Sequence, residues 1–132
     1  MSAVVRPSTR RPLALVVDHD ADTREMYVLH LKAQGIAAEE APNPAQALTK
    51  AVAIRPDVIT TDLGSGLDGL GLCRELKIHG VTRAIPVIVV TGAAMPREMQ
   101  QALDAGCVSV LTKPCLPDTL LAEVRRVLAD TP

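Results

Sequence analysis

The chain has 132 residues, a formal net charge of -1 and 48% apolar residues, which suits one domain around one core and leaves no length for a second. Its single aromatic residue is Tyr27, so the core must be packed from Val, Leu, Ile, Ala and Met, and base stacking on aromatic side chains is excluded as a recognition device. Basic residues are dispersed rather than gathered into a stripe for a polyanion, and direct nucleic-acid binding is not expected.

Residues 1–12 carry Pro7 and the cluster Arg6, Arg10 and Arg11 without periodicity, and are expected to be a solvated tail. The run Leu13-Ala14-Leu15-Val16-Val17 then stops at Asp18-His19-Asp20. A short, continuous apolar run of this kind suits a strand buried on both faces, as in parallel sheets. Asp22 is placed as the cap of a helix whose apolar positions are Met26, Val28, Leu29 and Leu31 and which Gly35 ends. Ile36–Glu40 is expected to be a weaker edge strand. Pro44 opens a helix through Ala47, Leu48, Ala51 and Val52 to Ile54, and Pro56 stops it.

Val58-Ile59-Thr60-Thr61 forms the third expected strand and runs into Asp62. The glycine-rich stretch Gly64-Ser65-Gly66 leads to Asp68 and a helix with Leu70, Leu72, Cys73 and Leu76. Val87-Ile88-Val89-Val90 is the clearest strand and ends at Thr91-Gly92. A helix from Pro96 ends at Gly106, a fifth strand covers Val108–Leu111, and Thr112-Lys113-Pro114 follows. Pro117-Asp118 opens a last helix with Leu120, Leu121, Val124, Val127 and Leu128 on its apolar face. Alternating strands and helices predict an α/β domain with a parallel sheet covered on both faces. Its expected extent is 13–129, with 130–132 as a polar end.

Cys73, Cys107 and Cys115 are odd in number and lack a C-x-x-C pair, as suits thiols of a reducing compartment. The sequence has neither an apolar run long enough to span a bilayer nor the apolar region of a secretion signal, and a cytoplasmic location is expected.

Four apolar strands are predicted to end, at one sheet edge, in Asp18, Asp62, Thr91 and Lys113. Ligands of open α/β sheets bind along the carboxyl edge at the point where strand order reverses. Singly, these residues read equally well as a turn aspartate, a β-branched strand residue and a solvated lysine. Together they make coherent chemistry. Two converging carboxylates invite a hard divalent cation, typically Mg²⁺. A carboxylate is also a nucleophile toward phosphorus, and a lysine and a threonine hydroxyl can hold phosphoryl oxygens.

The chain resembles the receiver domain of two-component response regulators. The resemblance rests on Leu15-Val16-Val17-Asp18, on Arg55-Pro56-Asp57-Val58-Ile59-Thr60-Thr61-Asp62 and on Asp68-Gly69. It continues in Ile85-Pro86-Val87-Ile88-Val89-Val90-Thr91-Gly92, Ala105-Gly106 and Leu111-Thr112-Lys113-Pro114. It implies a flavodoxin-like (βα)5 three-layer sandwich with sheet order 2-1-3-4-5. It further implies Asp62 as the residue phosphorylated by a histidine kinase or phosphotransfer protein, with Mg²⁺ held by Asp18, Asp62 and the Gly64 carbonyl. Thr91 and Lys113 would contact the phosphoryl group and signal to a downstream protein through the fourth helix, fifth strand and fifth helix. The same face would serve a homodimer, and the Lys113-Pro114 bond is often cis in the family.

Three positions depart from the family pattern. His19 stands where a second acidic metal ligand is usual, which weakens Mg²⁺ binding. Asp20 is a candidate to swing in and compensate, although the expectation favoured for His19 itself is a side chain pointing to solvent. The loop Leu63-Gly64-Ser65-Gly66-Leu67 is one residue short and rich in glycine, which favours mobility over the phosphate. Val110 occupies the position of the usual switch aromatic, so no ring can act as a gate.

No output domain follows Leu128, so a receiver acting alone is expected. A degenerate receiver that binds a protein partner without phosphorylation is the second reading. A phosphatase of the haloacid dehalogenase type shares the D-x-D of Asp18-His19-Asp20 but lacks an acidic metal motif after Lys113. A cobalamin-binding domain needs D-x-H-x-x-G, and Asp18-His19 does not supply it.

Overall fold

The computed structural model describes residues 11–63, 68–92 and 95–130. Its elements alternate as β1 (Leu13–Val17), α1 (Ala21–Ala33), β2 (Ala37–Ala41), α2 (Pro44–Ile54), β3 (Val58–Asp62), α3 (Asp68–Ile78), β4 (Val87–Thr91), α4 (Pro96–Asp104), β5 (Ser109–Thr112) and α5 (Pro117–Asp130). All strand pairs are parallel and the sheet order is β2-β1-β3-β4-β5, the flavodoxin-like arrangement. Order reverses between β1 and β3, so the crevice of such a sheet opens beyond the carboxyl ends of those two strands.

Strand alternation divides the core in two. Leu15, Val17, Ile59, Val87 and Val89 face one layer, where Ala47 and Ala51 of α2, Leu70, Cys73 and Leu76 of α3 and Ala102 of α4 cover them. Ala14, Val16, Val58, Ile88 and Val90 face the other, under Tyr27, Val28 and Leu31 of α1 and Leu120, Leu121, Val124 and Val127 of α5. Every residue of β3 and β4 is buried, which explains why β4 reads as an almost unbroken apolar run rather than as an alternating one. Each fully buried Val or Leu contributes about 1.5–3 kcal/mol, so many aliphatic contacts stand in for the missing rings.

Several sequence expectations shift. The cap of α1 is Asp20, whose side chain accepts from Thr23 N; Asp22 lies inside the first turn, where its charge still suits the helix dipole. The buried face of α1 is Tyr27, Val28 and Leu31, while Met26 and Leu29 are exposed. β2 and β5 each sit one residue later than local apolarity suggests, because their ends are set by pairing: Ala41 with Val17, and Thr112 with Thr91. The helix α5 runs to Asp130.

Candidate functional site

Asp18 directly follows β1, Asp62 ends β3, Thr91 ends β4 and Lys113 directly follows β5. The topology therefore brings the four residues to the carboxyl edge of adjacent strands, as the sequence pattern requires. Asp18, Asp62 and Thr91 are buried there at 2%, 8% and 3% exposure, far below what unpaired polar side chains tolerate. The backbone N–H of Lys113 donates to the Thr91 carbonyl at 2.8 Å, which ties the lysine segment to the end of β4.

The Lys113 ammonium bridges the two carboxylates. Its Nζ lies 3.6 Å from Asp18 Oδ2 and 3.7 Å from Asp62 Oδ2. The Lys113-Pro114 peptide is cis. One residue on, the carbonyl of Cys115 accepts the hydroxyl of Tyr27 at 2.8 Å, so the chain's one Phe/Tyr/Trp-type ring anchors the segment that presents the lysine.

The loop after β1 is held from several sides. Asp18 Oδ1 accepts from Asp20 N at 2.8 Å, and the Asp18 carbonyl accepts from Arg24 Nη1 at 2.9 Å. Arg24 Nε in turn donates to Glu40 Oε1 at 2.7 Å. Asp20 Oδ2 accepts from Thr23 N at 3.0 Å and serves as the cap of α1. It does not swing into the pocket.

His19 does. Its Nδ1 forms a short contact with Asp62 Oδ2 and lies 3.7 Å from Asp18 Oδ1, while the side chain remains 65% exposed overall. The expectation of a histidine turned to solvent is thus corrected. With Asp20 bound to its helix and the Asp18 backbone pinned by Arg24, the side chain between them is carried over the carboxylates. Those carboxylates offer the charge that an N–H of the ring seeks.

Burial is the largest influence on Asp18 and pushes its pKa above the ordinary carboxylate value. The Asp20 N–H opposes that shift, the charge of Asp62 reinforces it, and Lys113 and His19 pull it back without cancelling it. Ionising Asp18 therefore works against both desolvation and the neighbouring Asp62 carboxylate.

Near the end of β3, Gly69 lets α3 approach closely. A Cβ there would stand 2.5 Å from the Asp62 carbonyl oxygen and 2.9 Å from Leu63 Cα. Val110 is half-buried, paired in register with Val89 and packed against the α2–α4 layer. The Gly64 carbonyl and the shortened loop 64–67 lie outside the described residues. Arg24, Gly69 and Tyr27 are the supports that the strand-end pattern did not reveal. The close approach demanded at Gly69 does have a sequence signal in Asp68-Gly69 at a helix start.

A flavodoxin-like α/β domain with a carboxylate pair and a lysine at its switch point is the class these features define. Residues 14–125 match the model of the response regulator receiver domain, and the chain belongs to that family. It is 36% identical over 118 residues to the phosphate regulon transcriptional regulatory protein PhoB of Pseudomonas aeruginosa, covering 89% of this chain and 52% of that protein. It is 31% identical over 118 residues to the DNA-binding response regulator MtrA of Mycobacterium tuberculosis, covering 89% and 50%. The chain thus spans about half the length of the curated relatives it matches.

Among solved structures, the chemotaxis response regulator CheY4 of Vibrio cholerae superposes with a TM-score of 0.83 at 28% identity, covering 89% of this chain and 99% of that one. The signal receiver domain of a signal transduction histidine kinase from Syntrophus aciditrophicus gives 0.80 at 33% identity, covering 89% and 90%. No described helix is long and apolar enough to cross a membrane.

Asp18, His19 and Asp62 each offer a ligand atom, all within 4.8 Å of one another. Two carboxylates suit the Mg²⁺ that the family implies. The third donor is an imidazole nitrogen, which a hard, oxygen-seeking cation accepts poorly. As it stands, the donor set does not fit Mg²⁺.

Proposed function

We propose that this domain accepts a phosphoryl group on Asp62 from the phosphohistidine of a kinase or phosphotransfer protein. Support comes chiefly from one observation: Lys113 Nζ sits within 3.7 Å of both Asp62 and Asp18 at the switch point of the sheet. A carboxylate oxygen of Asp62 attacks phosphorus, the phosphorus–nitrogen bond of the donor breaks, and the departing imidazole keeps the bonding pair and takes up a proton. The product is an acyl phosphate on Asp62. The lysine is already placed to form a charge-assisted bond to a phosphoryl oxygen, with the Thr91 hydroxyl as a second contact from the end of β4.

The domain catalyses its own phosphorylation and hydrolysis and acts on no other substrate. Mg²⁺ binds weakly because His19 takes the place of an oxygen donor. Movement of Lys113 and Thr91 toward the phosphoryl group is relayed to a downstream protein through α4, β5 and α5. Val110 packs passively in that relay, where a rotating ring is the usual device, and the same face would carry a homodimer. The cytoplasm is the setting in which a kinase donor meets such a domain.

A second reading, a receiver that binds its partner without phosphorylation, is favoured by one observation, the contact of His19 with the acceptor carboxylate. Acetyl phosphate separates the two. The purified chain, incubated with it in the presence of Mg²⁺ or Mn²⁺, is expected to gain the mass of one phosphoryl group, and Asp62→Asn is expected to gain none. No gain in the parent chain with either ion, or an equal gain in the variant, would reject the first reading.

A further inference from the structure

We infer that the Asp18–His19–Asp62 corner selects a nitrogen-accepting transition ion of the Zn²⁺ or Ni²⁺ class over Mg²⁺. The inference deepens the phosphoryl-acceptor reading, since it names the ion of the same site and rests on that site being an ion-binding one. Its grounds are geometric. His19 Nδ1, not a solvent-facing edge, is the atom directed at both carboxylates, so release of its proton on metal binding leaves a lone pair facing the space between them.

The one nearby carboxylate that could restore an oxygen donor set is committed elsewhere. Asp20 Oδ2 accepts from Thr23 N at 3.0 Å and its backbone N–H holds Asp18 Oδ1 at 2.8 Å. Recruiting it would uncap α1, a loss of about 0.5–2 kcal/mol.

Two carboxylates and one imidazole are a three-ligand set of the kind that holds Zn²⁺ with a position left for water or substrate. The donor atoms lie within 4.8 Å of one another. Ligands about 2.0–2.2 Å from an ion can stand no farther apart than about 4.4 Å, so a small rotamer adjustment closes the site. The ion then replaces the direct contact between His19 and Asp62. Lys113 opposes every divalent cation alike through its charge, so it lowers absolute affinity without reordering the ions. The order is decided by the nitrogen ligand, for which Ni²⁺ and Zn²⁺ have far greater preference than Mg²⁺.

Calorimetric titration of the metal-free chain with Zn²⁺, Ni²⁺ and Mg²⁺ in separate runs tests this, with His19→Ala and His19→Asp alongside. The His19 side chain is 65% exposed, so neither substitution disturbs the core. The parent chain is expected to bind one Zn²⁺ or Ni²⁺ at least about tenfold more tightly than Mg²⁺, a difference of about 1.4 kcal/mol. His19→Ala should lose that advantage, and His19→Asp should tighten Mg²⁺ and weaken Ni²⁺. Equal affinities in the parent chain, a Zn²⁺ affinity unchanged by His19→Ala, or an ion preference unchanged by His19→Asp would each overturn the inference. Acetyl phosphate labelling is scored separately: labelling at Asp62 without the ion preference defeats only this inference, and the preference without labelling defeats only the acceptor reading.

Discussion

Asp18 shows how a site residue can oppose the fold that holds it. It is 2% exposed, and burial together with the Asp62 charge raises its pKa above the ordinary 3.8. A carboxyl with a raised native pKa binds its proton more tightly folded than unfolded. The ionised form therefore costs stability at all pH values above the native pKa, and the cost fades as pH falls toward 3.8. Asp18→Asn in EDTA is accordingly expected to melt higher than the parent chain at pH 7, with the gain shrinking as the melts are repeated at successively lower pH. A lower melting temperature at pH 7 would show that Lys113 and His19 do more than offset the burial. The three thiols shift in the same direction as Asp18, again with burial as the leading cause. Burial pushes Cys73 up to about 12 and Cys107 above its usual range, and all three cysteines are buried. Thiolate-directed reagents at pH 8 should leave the native chain essentially unmodified and label all three once it is unfolded in denaturant.

At the scale of elements, two junctions set the pocket, and each can be tested by one substitution. Asp20→Ala removes the acceptor for Thr23 N and should lower stability by about 0.5–2 kcal/mol in a denaturant melt, whereas Asp22→Ala, at the position the sequence suggested, should cost markedly less. Gly69→Ala pushes a methyl against the Asp62 carbonyl and Leu63 Cα, backbone atoms that cannot swing aside. A loss of about 1–3 kcal/mol is expected, with acceptance at Asp62 impaired because the end of β3 must move. Legibility in the sequence followed the same division. Runs such as Val87–Val90 announced themselves because burial on both faces leaves an unbroken apolar signature. The start of α1 did not, since Asp18, Asp20 and Asp22 are chemically alike and only the three-dimensional position of Thr23 N chooses among them. The strand ends of β2 and β5 were similarly hidden, being fixed by partners far away in the chain.

For the molecule as a whole, the sheet order and the two-layer core follow from alternation of elements, and the convergence of Asp18, Asp62, Thr91 and Lys113 was legible as soon as each was seen to end a strand. The orientation of His19 was not, because it depends on Asp20 and Arg24 holding the loop on either side of it. One feature of the core has a further use. Tyr27 is the sole near-ultraviolet chromophore among the side chains, since the chain has no Trp or Phe, and its buried hydroxyl is bonded to Cys115, two residues from Lys113. Absorbance at 280 nm is therefore weak and gives the concentration only with a single-tyrosine coefficient. The same poverty makes tyrosine emission and near-ultraviolet dichroism an unlabelled, single-site optical gauge of the segment carrying the lysine, readable in real time as a phosphodonor or an ion is added.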